Sequence, residues 1–404
     1  MKFFRQGHVT AAIIGFLWTY VIAIAVTVTL SFANGDSLRP GFWGCLILGA
    51  AGGLAVIYVR RKTTLVAAFT VLAAIAGFLP VAPVIAGPEV GVLPLLLAGA
   101  LVGFFSVWPL LSMMTEVAPG PLTRHAFEDA LIRFLTGFGF IVFTAIVLIP
   151  FYVMVMTSLK SQQALLANPL DFSIDIGRGL DLFRSYVELF RDFNFGDYLW
   201  TSFYVSVLTV LITLLFSVPG AYAVARLQFK GRAAFSRSIL LIYMVPMIVL
   251  ALPIYIAFSM TGLRNTIPGL VMIYPVTTIP VALYMLQGYF RGLPVEVEEA
   301  GLMDGLSRLQ VITKITLPLS LPAMVSVSLY VFMIAWNEFL LAFMLLDDPS
   351  KFTLTRGVAM LNSSEIPRQH LMAGAVIATI PIMVLFLGLE RFMTKGLTAG
   401  SVKG

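Results

Sequence analysis

Cysteine occurs once in 404 residues, at Cys45 inside an apolar run, which excludes an intrachain disulfide and any cysteine metal cluster. Cys45 is read as a small core residue. Histidine occurs three times, at His8, His125 and His370, far apart and at loops or helix ends. No helix-borne histidine pair and no Ser/His/Asp arrangement points to metal binding or catalysis; each histidine is expected at the solvated surface. A glycine-rich phosphate loop of the form GxxxxGK(S/T) is missing, so the chain is not expected to hydrolyse ATP itself. Charge is scarce: 11% of residues, against roughly 25% in a soluble domain. Internal repeats and low-complexity tracts are also missing.

What is present is apolar. The chain is 59% hydrophobic with a mean hydropathy of +0.96, which makes the lipid bilayer its solvent. Ten stretches reach the roughly 20 apolar residues of a membrane helix, at about 10–33, 42–59, 63–86, 91–113, 135–157, 199–225, 238–261, 267–289, 319–346 and 371–389. The first is too long for a signal-peptide core and is read as a retained helix. The expected fold is an all-α polytopic membrane protein.

The net charge of +6 does not imply a nucleic-acid partner, because the placement of lysine and arginine explains it. With the N-terminus inside, 17 of the 26 fall on inner segments, among them Lys2, Arg60, Arg61, Lys62, Arg124, Arg226, Lys230, Arg232, Arg291 and Lys403. Four of the other nine lie in the one long outer loop, 158–198. Both termini are therefore expected in the cytoplasm. The chain divides at about 134. Residues 1–134 hold four tightly spaced helices and an inner linker with little chemistry. Residues 135–404 hold six helices, the outer loop and a charged inner loop at 290–317.

That inner loop carries the densest pattern. Pro294 suits the first turn of a helix, where its missing N–H costs nothing. Glu296, Glu298 and Glu299 sit near the positive end of that helix's dipole. Val295, Leu302 and Met303 form an apolar stripe at helical spacing. Asp304-Gly305 breaks the helix. A second short amphipathic segment follows with Leu309, Ile312 and Ile315. Read as residues alone, this is either a docking piece with an acidic edge or an interfacial amphipathic loop without a partner.

Glu298-Glu299-Ala300-Gly301, Asp304-Gly305, Ile315 and Leu317-Pro318 resemble the EAA motif of the permease subunits of ATP-binding-cassette (ABC) importers, in the maltose/carbohydrate family. That motif reads EAA, three residues, G, nine residues, I, one residue, LP, and every spacing is kept. Gly301 departs from the usual second Ala and is expected to loosen the helix by about 0.5–1 kcal/mol. The segment Ala221-Tyr222-Ala223-Val224-Ala225-Arg226, the run Trp336-Asn337-Glu338-Phe339 and the ending Gly396 to Gly404 are similar to the six-helix maltose-type subunit. The resemblance covers about 135–404, with a type I importer transmembrane domain at about 198–391 and a tail at 391–404. It leaves the first 134 residues as an additional four-helix region.

The resemblance implies a carbohydrate permease with four kinds of partner: a second permease subunit, two ATPase subunits or domains that use ATP and Mg, an extracytoplasmic sugar-binding protein, and the cytoplasmic (inner) membrane. The chain itself is expected to hold no cofactor and no metal. Within the resemblance, the 290–317 loop is the piece that docks on the ATPase, and Gly400 and Lys403 of the tail reach it as well. The alternative is a ten-helix secondary transporter, a class that usually shows repeats and midplane ionisable residues. Glu338 is the only charged residue well inside an expected span, roughly 9 Å outward of its midplane. With Trp336 and Asn337 it is read either as part of a substrate path, offering carboxylate, amide and ring to a sugar, or as a structural interhelical contact.

Overall fold

The computed structural model describes residues 4–35, 37–59, 62–168, 171, 173–363 and 365–398. The chain forms two compact units, residues 1–182 and 183–404. The expected boundary near 134 falls inside an unbroken helix.

In the first unit, six helices follow in order: α1 (Gly7–Asn34), α2 (Phe42–Tyr58), α3 (Lys62–Ala76), α4 (Val92–Met113), α5 (Arg124–Ser158) and α6 (Gln162–Ala167). Glycine sets how they pack. A Cβ on Gly15 would lie 2.2 Å from the Gly49 carbonyl oxygen, and one on Gly53 would lie 2.0 Å from that of Ala11. The backbones of α1 and α2 therefore touch. α3 and α4 meet the same way, through Gly99 on Ala73 and Gly103 on Phe69. Close backbone approach is how helices associate in lipid, where burial of apolar surface gives no gain. Ala11, Ile14 and Trp18 of α1, with Leu110 and Met113 of α4, pack on Ala130 and Phe134 of α5.

The expected span 63–86 is corrected. α3 stops at Ala76, and a short strand β2 (Val84–Ala86) pairs antiparallel with β1 (Leu38–Pro40), Arg39 opposite Ile85. Pro80 and Pro83 lack the N–H that a continuing helix needs. The Pro83 carbonyl instead accepts from the Gly41 amide at 3.0 Å and from the buried Cys45 thiol at 3.4 Å.

In the second unit lie α7 (Arg184–Asp192), α8 (Phe195–Arg226), α9 (Arg232–Tyr243), α10 (Met247–Met260), α11 (Ile267–Gly292), α12 (Val295–Met303), α13 (Arg308–Val311), α14 (Leu317–Leu319), α15 (Leu321–Asn337), α16 (Leu340–Leu345), α17 (Leu354–Met360) and α18 (Arg368–Thr398). A π-helical turn, Ile312–Thr316, joins α13 to α14. α8 and α11 pack together through a 2.6 Å hydrogen bond between the Thr213 and Thr278 hydroxyls.

Among the described residues, six helices are long and apolar enough to cross a membrane: α1, α4, α5, α8, α11 and α18. Arg308–Leu319 and Leu321–Asn337, bent by 72° at their junction, make a seventh if the pair is counted as one span. The other three expected spans contain only shorter apolar helices, α2, α3 and α10. Two expected spans are broken within: 238–261 at Met244–Pro246, where Pro246 precedes α10, and 319–346 at Glu338, whose backbone is extended. The tail expected from 391 continues as helix to Thr398.

Candidate functional site

The 290–317 loop folds as its sequence chemistry dictates. Pro294 is the residue before α12, with Glu296 and Glu298 in the first turn. Gly305 takes φ +83°, open to glycine at little cost. The Leu306 amide then donates to Gly301 O and the Gly305 amide to Leu302 O, both at 3.1 Å, which closes the helix end. Ser307 and Gln310 cap α13 reciprocally.

α12 has two faces. Val295, Glu299, Leu302 and Met303 lie along one stripe and are all exposed, Met303 at 88%. Leu309 of α13 is exposed beside them in sequence. Along the edge of that stripe Glu298 and Gly301 are both buried, turned to the interior. A Cβ on Gly301 would lie 2.6 Å from Ile315 Cδ1 and 3.3 Å from Val311 Cγ2. Gly301 thus does more than loosen a helix: its missing side chain is the seat into which Ile315, a residue of the same motif, packs. Ala300, Asp304 and Pro318 are exposed and Leu317 is half-buried.

Glu298, expected beside Glu299 on the outer acidic edge, points inward instead. It is 7% exposed. The Tyr222 hydroxyl donates to Glu298 Oε2 at 3.1 Å and the Thr316 hydroxyl to Oε1 at 3.0 Å. Arg226 Nε lies 3.4 Å from Oε1, and the same guanidinium donates to Leu293 O at 2.7 Å. Arg232 donates to Val224 O at 2.7 Å and Ala225 O at 3.0 Å, occupying the last carbonyls of α8. In sequence Tyr222 and Arg226 belong to a segment resembling the family, and Arg226 also counts among the inner-side charges. Their partnership with Glu298 spans 76 residues of sequence and leaves no local pattern.

The second expected constellation does not gather into one site. Trp336 is buried and donates from Nε1 to Ala378 O of α18 at 3.0 Å. Asn337 is exposed and donates back to Met333 O at 2.9 Å. The Glu338 carboxylate accepts from the Leu341 and Ala342 amides at 2.8 and 3.1 Å, so it caps the start of α16 across the break. Thr355 donates to Glu338 O at 2.7 Å. Of the three, only Asn337 offers its side chain to solvent.

At the other end of the unit, Asn265 Oδ1 accepts from the Asp347 and Asp348 amides at 3.1 and 3.0 Å, and Arg264 pairs with Asp347. His370, expected at the solvated surface, is buried: its Nε2 lies 2.7 Å from Glu188 Oε2, under the Phe193 ring. Hydrogen bonding from Arg184 holds the Glu188 carboxyl below its ordinary range against the burial that raises it, with His370 adding to the effect. Gly400 and Lys403, like Lys2, Arg60 and Arg61, lie outside the described residues. Among the described residues no group of three or more metal-binding side chains occurs.

The family described as "Binding-protein-dependent transport system inner membrane component" matches residues 217–398. The inner membrane ABC transporter permease protein YcjP of Escherichia coli is 37% identical over 270 residues, which cover 66% of this chain and 95% of that protein. The trehalose/maltose transport system permease protein MalG of Thermococcus litoralis is 35% identical over 281 residues, 69% of this chain and 99% of that one. A bacterial ABC transporter involved in alginate import supplies a solved chain with TM-score 0.57 and 22% identity, covering 67% of this chain and 98% of its own; it shows the fold alone. The family match includes the inner loop, its buried carboxylate and the two broken helices. The chain belongs to the binding-protein-dependent transport system inner membrane components, the permeases of ABC transporters.

Proposed function

We propose that the chain is the permease subunit of an ATP-driven importer for a maltose-like α-glucoside or another oligosaccharide, coupled to a separate ATPase through α12. The observation that carries this reading is the two-faced α12. Its exposed stripe of Val295, Glu299, Leu302 and Met303 fits an apolar cleft with a cation at its edge. Its other face is anchored in the protein's own interior. The sugar class rests on the relatives, whose names specify trehalose, maltose and arabinooligosaccharides.

The partners of this reading are a second permease, two ATPase subunits that use ATP and Mg, and an extracytoplasmic sugar-binding protein. The last would meet the 347–370 segment, which the Arg264 and Asn265 contacts hold in shape. Charge placement supports both termini in the cytoplasm, and the ATPase is the proposed partner of Gly400 and Lys403.

Glu299→Lys reverses the charge at the centre of the exposed stripe without touching the interior. The variant is expected to insert normally but to lose ATPase copurification and sugar uptake. Normal uptake by it would refute the docking role of α12.

A further inference from the structure

We infer that Glu298 is the positioning residue of the coupling, joining the docking helix to two membrane helices at once. The inference rests on the docking reading of α12. Its carboxylate meets three elements: Tyr222 and Arg226 at the inner end of α8, α12 itself, and Thr316 in the π-helical turn that leads to α15.

Elsewhere α12 meets the segment after it through Gly301 against Val311 and Ile315 and through the Leu306 amide on Gly301 O. The Gly301 contact seats Ile315 by shape but carries no charge. A buried carboxylate between a guanidinium and two hydroxyls permits only one register, since a charge withdrawn from its partners has no water to receive it. Arg226 is 8% exposed at its side chain and the Glu298 side chain 10%, so both ends of the pair are shielded.

The far end is equally fixed. Arg226 also holds Leu293 O, at the entry to α12, while Arg232 holds the last carbonyls of α8. A displacement of α12 is therefore delivered to α8 through Tyr222 and Arg226, and to α15 through Thr316. Glu299 faces outward to the partner; Glu298, its neighbour, faces inward to the helices that move. Two adjacent carboxylates thus divide recognition from transmission.

The test uses the complete transporter in proteoliposomes, with sugar uptake and ATP hydrolysis measured on the same preparation. Glu298→Gln keeps size and hydrogen bonding but removes the charge. It is expected to assemble and hydrolyse ATP while uptake per ATP falls by roughly tenfold, within the usual range for coupling between two sites. A merely structural role would lower the thermal midpoint and leave uptake per ATP unchanged, and that result overturns the inference. Should Glu298→Gln fail to insert, Tyr222→Phe and Thr316→Val each remove one hydroxyl and keep the ion pair. Each is expected to lower the same ratio by a smaller factor, and a native ratio in both overturns the inference. Glu299→Lys separates the two readings: if it blocks ATPase association while Glu298→Gln keeps a native ratio, docking stands and transmission through Glu298 falls. If Glu299→Lys transports normally, the docking reading itself fails.

Discussion

The contact between α1 and α2 leaves no room for a methyl group, and this gives a sharp test of how the first unit is held together. In Gly53→Ala the new Cβ would sit 2.0 Å from Ala11 O and 2.7 Å from Ala11 C. Ordinary contacts begin near 3.4 Å, so the helices must separate by about 1.4 Å at that point. A gap of ~0.5–1 Å already forfeits a quarter to a half of a dispersion contact, and overpacking of this kind costs about 1–3 kcal/mol. For a unit of this size that corresponds to a drop of roughly 2–12 °C in thermal midpoint, at about 2–4 °C per kcal/mol. The neighbouring Gly52→Ala is the control. Its Cβ would meet Phe69 and Val107 at 3.4 and 3.5 Å, ordinary distances, and alanine gains about 0.5–1 kcal/mol of helix propensity. Fluorescence-detected size exclusion after graded heating in detergent reads both. The reasoning predicts a lowered midpoint for Gly53→Ala and an unchanged or raised one for Gly52→Ala. Equal midpoints would refute close backbone packing as the source of stability here.

In the 290–317 loop, Gly301→Ala is expected to be tolerated because its nearest neighbour is the movable end of Ile315, whereas Gly301→Val should cost about 1–3 kcal/mol and, on the proposed coupling, separate ATP hydrolysis from uptake. A native uptake-to-hydrolysis ratio in Gly301→Val would count against the Ile315 seat. Burial pushes the Asp171 carboxyl up, but hydrogen bonds from Lys160 and Ser173 outweigh it and hold the group at about 2, below 3.8. A depressed carboxyl stabilises fully above its unfolded value and loses that contribution as pH falls from about 4 through 2. The shift corresponds to at most about 2.4 kcal/mol, reduced to about 1 kcal/mol because the side chain is about a third exposed. Proteolysis of the 158–182 segment should accelerate over that pH range in the native chain, and Asp171→Asn should already be fast at pH 7. A chain beginning at Arg124 is expected to keep its partners and its uptake with lowered stability, since Ala130 and Phe134 lose their packing on Trp18 and Leu110. Assembly without any uptake would show that the first unit acts in transport directly.

Much of this architecture was readable from local pattern. Hydropathy located the long helices because lipid demands about 20 apolar residues in a row. The inner loop was readable in detail because Pro294, Gly305 and the Leu317-Pro318 pair each have one local backbone consequence. What stayed hidden depends on contacts distant in sequence. Tyr222 and Arg226 look like an ordinary span end until Glu298 is placed beside them. His370 looks like a surface residue until Glu188 covers it. The breaks at Pro246 and Glu338 were hidden for another reason: both flanks are apolar, so hydropathy runs straight across them. In the second case the Glu338 carboxylate, read either as part of a substrate path or as a structural contact, caps the helix that follows the break.

The two units solve one problem by opposite means. In hydrocarbon, apolar surfaces do not choose one another, so a helix pair needs some other source of register. The first unit relies mainly on backbone contact at Gly15, Gly49, Gly53, Gly99 and Gly103, with the Trp18–Phe105 and Tyr152–Phe32 bonds beside it. The second concentrates specificity at a few polar points: the Thr213–Thr278 bond, the Trp336–Ala378 bond, the Glu338 cap and the Glu298 cluster. Such points define hinges and levers, because the apolar surface between them can repack while they hold. Helix α12, the two broken helices and the buried carboxylate all belong to the unit built in the second way, which holds the whole of the family match at 217–398.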